Sequence, residues 1–334
     1  MLRTPPQRRS RAALRKLADG ESLRTVIIAL VANVVISIAK LVAGILSGST
    51  AMLAEAAHSF ADSLNEVLLG FSLRRARRPA DATHPLGHGR ERFLWALMAA
   101  IASFLIGGCL SVALAIREFE LNQAPGPARA AWIVLAVSFV ADGLSWLQSI
   151  GQARREARER GRSVWRHLVR SSEPLVRAIV FEDSAALLGL VIAAAGLGLR
   201  EMLGTNMPDA IASLLIGILL AVTAFGLARP LADFLVGRSL PQDQVQQLQD
   251  IITASPCIEQ LISLHAVYTG PEEAIVAAKV HPAKGTSIED LAKEMDDLDH
   301  QLRAASPFVA DVFIDVTMYR LGTTEDKGTK NEDV

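Results

Sequence analysis

Cysteine is nearly missing from this chain: there are two in 334 residues, Cys109 inside an apolar run and Cys257 in a polar one. No CxxC pair exists, which excludes a disulfide framework, and the isolated thiols give no soft site selective for copper(I). Charge is scarce as well. Asp, Glu, Lys and Arg make up 21% of residues, with a formal net charge of −1 and a pI near 6.7, a balance that predicts no nucleic-acid partner. The helical zinc-hydrolase pattern HExxH does not occur, which counts against a membrane metalloenzyme. The N-terminal stretch is basic but lacks a short apolar core followed by a small-residue cleavage site, so residues 1–23 are expected to be a retained cytosolic arm. No internal repeat is strong enough to use.

Apolar residues, by contrast, are abundant: 51% of the chain is hydrophobic and the mean hydropathy is +0.30. That level suggests lipid as part of the solvent. A hydrocarbon core of about 30 Å requires roughly 20 apolar residues per helix, and six segments meet this, near residues 25–47, 51–73, 93–119, 130–152, 174–199 and 207–227. Lys and Arg gather in the arm, in the second-to-third connection (Arg74, Arg75, Arg77, Arg78, Arg90, Arg92) and in the fourth-to-fifth, while the alternate connections hold few. Positive charge marks the cytoplasmic side, so both termini are expected there.

After Pro230 polar and charged residues return. Helical periodicity in "PQDQVQQLQDIITAS", alternation in "ISLHAVYTG" and "EAIVAAKVHP", an amphipathic "SIEDLAKEMDDLDHQLRAA" and alternation in "VADVFIDVTMY" predict a helix, two strands, a helix and a strand. The expected fold is thus an α-helical membrane protein with six transmembrane helices over 24–230 and a C-terminal cytosolic α+β domain, ferredoxin-like αββαβ, over 231–321. Residues 322–334 are too polar to pack and are expected to be disordered.

The second segment, "MLAEAAHSFADSLNEVLLG", carries Glu55, His58, Asp62, Asn65 and Glu66. Ionisable groups at membrane depth cost roughly 2.5–3.5 kcal/mol each on insertion scales, so their default reading is functional. His58 and Asp62 are one helical turn apart, and imidazole with carboxylate at that spacing suits a divalent first-row metal. Glu55 and Glu66, nearer the ends, are open to snorkelling toward water. The fifth segment places Glu182 and Asp183 side by side. Adjacent residues face about 100° apart, so one of them points at a shared site, and Asp183 is the choice. Ala185, Ala186 and Gly189 allow close approach of that helix to the second. Asn33, Asp142 and Asp209 are read as interhelical hydrogen-bond partners, outer support for the site, or proton sites. In the loop "DATHPLGHGRER", Asp81, His84 and His88 can converge on a metal, or else merely cap the following helix.

The motif "HSFAD", the loop after it and the six-span layout with an αββαβ domain together resemble the cation diffusion facilitator family, proton-coupled exporters of zinc and related divalent ions. The likeness covers about residues 20–320, and the loop is its most specific part, similar to the family's Asp-x-x-His-Pro-x-Gly-His-Gly stretch. It implies a tetrahedral transport site with ligands from the second and fifth spans: His58, Asp62 and Asp183. Ile179 stands where many zinc exporters have His, and Glu182 stands beside the aspartate, as in a branch with Glu-Asp in that span. Either Glu182 supplies the fourth ligand through a local helix distortion, or a water does. The resemblance also implies a cytosolic metal site at Asp81, His84 and His88, and a C-terminal domain that serves dimerisation. His265, His281 and His300 do not match the family's C-terminal ligands.

The resemblance leads to the expectation of a homodimeric secondary transporter, not an enzyme, in the bacterial inner membrane. Divalent metal is its substrate and protons its counter-ion, exchanged by alternating access. Zn2+ is the expected ion, as the commonest of the family, with Fe2+, Mn2+ or Co2+ export or a non-transporting regulatory protein as alternatives.

Overall fold

The computed structural model describes residues 30–121, 126–159, 174–271, 273–306 and 308–318. The predicted N-terminal arm and C-terminal tail, and much of the basic fourth-to-fifth connection, lie outside these residues. The described chain forms two compact units. One holds residues 30–71 and 95–231, the other Ser72–Leu94 and the chain from Ala232.

In the first unit each predicted span is helical over its described part. The helices are α1 (Leu30–Ser47), α2 (Thr50–Ala76), α3 (Glu91–Ser103), α4 (Leu110–Leu121), α5 (Arg129–Glu159), α6 (Pro174–Leu203) and α7 (Met207–Val236), with a π-helical stretch, Phe104–Cys109, joining α3 to α4. Among the described residues, five helical stretches are long and apolar enough to cross a membrane: Leu30–Ser47, Glu91–Glu120, Arg129–Arg155, Val180–Leu203 and Met207–Val236. The remaining predicted span is α2. At 27 residues it has the length, but the ionisable groups that single it out also lower its hydropathy.

Burial in α1 runs opposite to that of a soluble helix. Val31, Val34, Val35, Ile38, Leu41, Val42, Ile45 and Leu46 are exposed, whereas Ser37, Lys40 and Ser47 are buried. Polar residues at i, i+3 and i+10, on one helical face toward neighbouring helices, with aliphatic ones outward is the pattern lipid selects, since lipid tails solvate Leu and Ile but leave polar groups unpaired. Ser37 Oγ accordingly donates to the Ala56 carbonyl of α2 at 3.2 Å.

The α1–α2 turn is built by Gly48, whose φ of 65° is the left-handed conformation glycine tolerates, and by Ser49, which accepts from the Met52 amide at 3.1 Å as the cap of α2. Asp209, at the start of α7, clamps this turn: it accepts from Ser49 Oγ (2.8 Å), Thr50 Oγ1 (3.2 Å) and the Ala51 amide (3.3 Å). Arg200 of α6 donates to the Ser47 carbonyl at 2.5 Å and the Gly126 carbonyl at 3.3 Å, covering the orphan C-terminal end of α1. Of the three roles open to Asp209, the hydrogen-bond partner is the one observed.

Small residues bring α7 onto the π-helical stretch. A Cβ on Gly217 would sit 2.8 Å from Val112 and 3.0 Å from the Gly108 carbonyl, and Ser213 Oγ donates to the Ser111 carbonyl at 2.9 Å. This is glycine and serine contact of the kind membrane helices use to approach closely.

The second unit contains α8 (Gln242–Thr253), β1 (Ile258–Gly270), β2 (Glu273–Pro282), α9 (Ile288–Ala305) and β3 (Val309–Val316). β1 and β2 pair antiparallel, β2 and β3 parallel across α9, in the order β1-β2-β3. Ala274, Val276, Ala278 and Val280 are the buried alternate positions of β2, the period-2 signal visible in the sequence. The αββαβ order is as predicted. Ser287 caps α9, accepting from the Asp290 amide at 3.1 Å. The loop after α2 belongs to this unit. Phe93 stacks on Phe234 (centroids 4.6 Å apart), Phe234 meets Tyr268 edge-on at 5.5 Å, and Arg90 donates to the Tyr268 carbonyl at 3.5 Å.

Candidate metal centre

The membrane unit gathers its polar side chains on α1, α2, α5 and α6. His58 is 2% exposed, and its Nδ1 stands 3.4 Å from Asp62 Oδ1. Two ligands on a tetrahedral zinc with bonds of about 2.0–2.1 Å are separated by about 3.3 Å, so this pair already has the spacing a metal needs. Both ring nitrogens of His58 and Oδ1 of Asp62 are buried with no hydrogen-bond partner. Leaving buried polar atoms unmatched costs about 1–3 kcal/mol apiece, and such a cluster points to something the protein is built to receive. Gly107 of the π-helical stretch passes close to the His58 backbone.

Around this pair the carboxylates are held apart by partners of their own. Asn65, one turn along α2, donates to both oxygens of Glu182 at 2.8 and 3.1 Å, so Glu182 is the acid of α6 that reaches α2. Asp183 turns to α5 instead, accepting from Ser149 Oγ at 2.8 Å and Ser145 Oγ at 3.5 Å. It borders a polar recess of about 710 Å³ lined also by Gln148, Gln152 and Arg155. The expected orientation of these two acids is therefore reversed. Helix periodicity fixes their 100° separation but not the rotation of α6, which Asn65, Ser145 and Ser149 determine. The side chain of Ile179 lies outside the described residues.

Two further readings are corrected. Glu55 does not snorkel: it is fully buried, with Oε2 accepting from Lys40 Nζ of α1 at 3.1 Å. Glu66 accepts from Asn33 Nδ2 at 2.6 Å. Lys40 is the residue that sequence reasoning missed. Its ammonium also donates to Ser59 Oγ at 2.8 Å and lies 3.6 Å from Asp142 Oδ2. The signal was available, since a lysine midway along an apolar span is as costly as the acids of α2.

The second cluster is in the loop of the other unit. Asp81, His84 and His88 offer ligand atoms all within 4.8 Å of one another, and among the described residues they are the group of three that does so. Asp81 accepts from the Thr83 amide (2.8 Å), Thr83 Oγ1 (2.7 Å) and the His84 amide (2.7 Å), an Asx turn that fixes its carboxylate. His88 Nδ1 is held by Glu91 Oε1 at 2.8 Å, which leaves Nε2 facing Asp81 Oδ2 at 3.1 Å. A carboxylate on the far ring nitrogen is how proteins orient metal-binding histidines. Hydrogen bonds from Thr83, His88 and the His84 backbone hold the Asp81 carboxyl well below its ordinary range, and those His88 makes to the Asp81 and Glu91 carboxylates raise it above its own. The loop's glycines have structural causes. Gly87 adopts φ 78°, and a Cβ on Gly89 would lie 2.7 Å from the Thr269 carbonyl and 2.9 Å from Gly270 Cα. In the sheet, His281 is buried and satisfied, its Nδ1 3.0 Å from the Thr317 carbonyl, and His265 and His300 are exposed.

Residues 26–236, comprising every helix described for the membrane unit, match the family model of the cation efflux transmembrane domain. The chain belongs to the cation diffusion facilitator family. Similar proteins include the mitochondrial proton-coupled zinc antiporter SLC30A9 of Xenopus laevis, 32% identical over 257 residues, covering 77% of this chain and 46% of that protein. Metal tolerance protein C4 of Arabidopsis thaliana is 30% identical over 256 residues, covering 77% and 56%. The cation-efflux pump FieF of Shewanella oneidensis is 29% identical over 230 residues, covering 69% and 71%. This chain thus spans about half the length of the first two relatives.

Proposed function

We propose that the protein exports a divalent transition metal, Zn2+ first, from the cytoplasm in exchange for protons. The observation that carries this reading is the buried, unpartnered His58–Asp62 pair at metal-ligand spacing inside a membrane unit. Imidazole with carboxylates suits zinc among first-row ions, and relatives at about 30% identity are named for zinc antiport or metal tolerance. Glu182 is the third ligand, carried toward the pair when α6 shifts against α2 and Asn65 releases it. The transition from two ligands to three is the alternating-access step. Protons and metal compete for the same nitrogen and oxygen atoms, so acid on the far side evicts the ion and loads the carriers for return.

Asp81, His84 and His88 form a second, cytosolic metal site; the termini face the cytoplasm of a bacterial inner membrane, and the C-terminal domain pairs two copies. The test is zinc flux into proteoliposomes with an acidic lumen. Wild type loads zinc in proportion to the pH gradient, whereas His58→Ala and Asp62→Ala do not. Equal, gradient-independent loading by all three would end the exporter reading.

A further inference from the structure

Lys40 is 0% exposed in the middle of a helix whose outer face is aliphatic, and it is in contact with two acids from two other helices. Glu55 Oε2 of α2 lies 3.1 Å away and Asp142 Oδ2 of α5 lies 3.6 Å away, with Ser59 Oγ at 2.8 Å between them. This arrangement is itself the skeleton of a cation site: two carboxylates and a hydroxyl, from α2 and α5, around one positive charge. A buried ammonium there balances two acids that would otherwise stand uncompensated, one turn below His58. The remaining Glu55 oxygen, Oε1, is buried and unpartnered and faces Gly189 of α6, where any Cβ would collide with it. The site therefore has an open acceptor beyond those the lysine uses.

We infer that Lys40 is a tethered surrogate cation that keeps a latent, all-oxygen divalent-metal site at Glu55, Ser59 and Asp142 closed, so that the incoming ion is offered only the imidazole-containing site above it. The chemistry decides the class of ion involved. Oxygen-only donors favour hard cations such as Mn2+ and Mg2+, while His58 with Asp62 favours zinc. Lys40 thus sets selectivity without touching the cargo. Its neighbours make this effective: Glu55 and Asp142 stand 3.1 and 3.6 Å from its ammonium, and the low local dielectric preserves such interactions. Methionine at this position removes the charge and, lacking the terminal ammonium, vacates the place between the carboxylates.

The inference rests on the exporter reading only in assigning the metal to His58 and Asp62. The experiment measures Mn2+ and Zn2+ binding, and Mn2+-dependent thermal stability, of the full chain in detergent for wild type, Lys40→Met and the double variant Lys40→Met/Glu55→Gln. The loop residues are replaced as Asp81→Ala, His84→Ala and His88→Ala in all three. Lys40→Met is expected to gain one additional Mn2+ per protomer, bound about tenfold or more tighter than any Mn2+ on wild type, and to be stabilised by Mn2+; the double variant gains neither.

If Lys40→Met can be purified only with Mn2+ present, the ion has replaced the ammonium and the inference stands. Failure to purify even then, while the double variant folds, shows that Lys40 is purely structural and overturns it, as does a folded Lys40→Met with wild-type Mn2+ binding. Loss of Zn2+ binding by wild type itself would instead count against the exporter reading.

Discussion

His58 keeps two bare ring nitrogens in a buried setting, and beside it Asp62 keeps a bare oxygen. A metal removes that penalty at a stroke, so replacing either residue should cost more in affinity than in stability. His58→Ala is expected to weaken zinc binding at the membrane site by about 100-fold, with the melting temperature unchanged or raised. Binding isotherms on protein lacking the loop ligands check this. The two acids of α6 separate in the same assay. Glu182→Gln should reduce zinc affinity and Asp183→Asn should leave it close to wild type, because Glu182 is tied to α2 and Asp183 to the serines of α5.

His88 in the loop titrates above its ordinary value because Asp81 and Glu91 favour its charged form. Its contribution to the metal-free loop's stability is therefore complete below the unfolded histidine value, about 6.5, and is lost as pH rises through the raised folded value. Asp81, held low, contributes above its unfolded value of about 3.9 and loses that contribution only in strong acid. Metal binding runs the other way, since the His88 proton must leave. Zinc at the loop should bind tighter as pH rises through that raised value, and His88→Ala should remove the slope.

At the scale of elements, the loop depends on its backbone passing where a side chain cannot. Gly89→Ala places a methyl group against the Thr269 carbonyl and Gly270. It should destabilise the second unit by about 1–3 kcal/mol and weaken zinc at the loop, as read by thermal melting with and without metal. In the membrane unit, Arg200 supplies donors to the Ser47 and Gly126 carbonyls, and Arg200→Met leaves those carbonyls unpaired in a dry setting. A drop of roughly 3 kcal/mol or more is expected, visible as lower yield and melting temperature while zinc affinity per folded molecule is retained.

The loop motif was legible because glycine and histidine there answer to local constraints, a left-handed φ at Gly87 and the close spacing of Asp81, His84 and His88, whereas the close approach of Gly89 to Thr269 and Gly270 was not. The clamp of Arg200 and Asp209 on the α1–α2 turn was not legible, since it joins residues more than a hundred positions apart and leaves no periodic trace.

For the molecule as a whole, hydropathy period and length sufficed for the helices of the membrane unit, and alternation sufficed for the αββαβ unit, because both are one-dimensional signals. The His58–Asp62 pairing on α2 was readable for the same reason, its two side chains lying one turn apart on a single helix. What sequence could not supply was the rotation of one helix against another. That rotation turned Glu182 rather than Asp183 toward α2, and it made Glu55 the buried partner of Lys40 rather than a snorkelling end residue.

On the exporter reading, a single imidazole and carboxylates within the membrane unit hold the transported ion. Its most direct test is the zinc X-ray absorption spectrum of the protein carrying Asp81→Ala, His84→Ala and His88→Ala. Bound zinc is expected to carry one imidazole nitrogen, the remaining donors being oxygen, with the imidazole signal vanishing in His58→Ala. Zinc bound by two or more histidines, or a spectrum unchanged by His58→Ala, would contradict it.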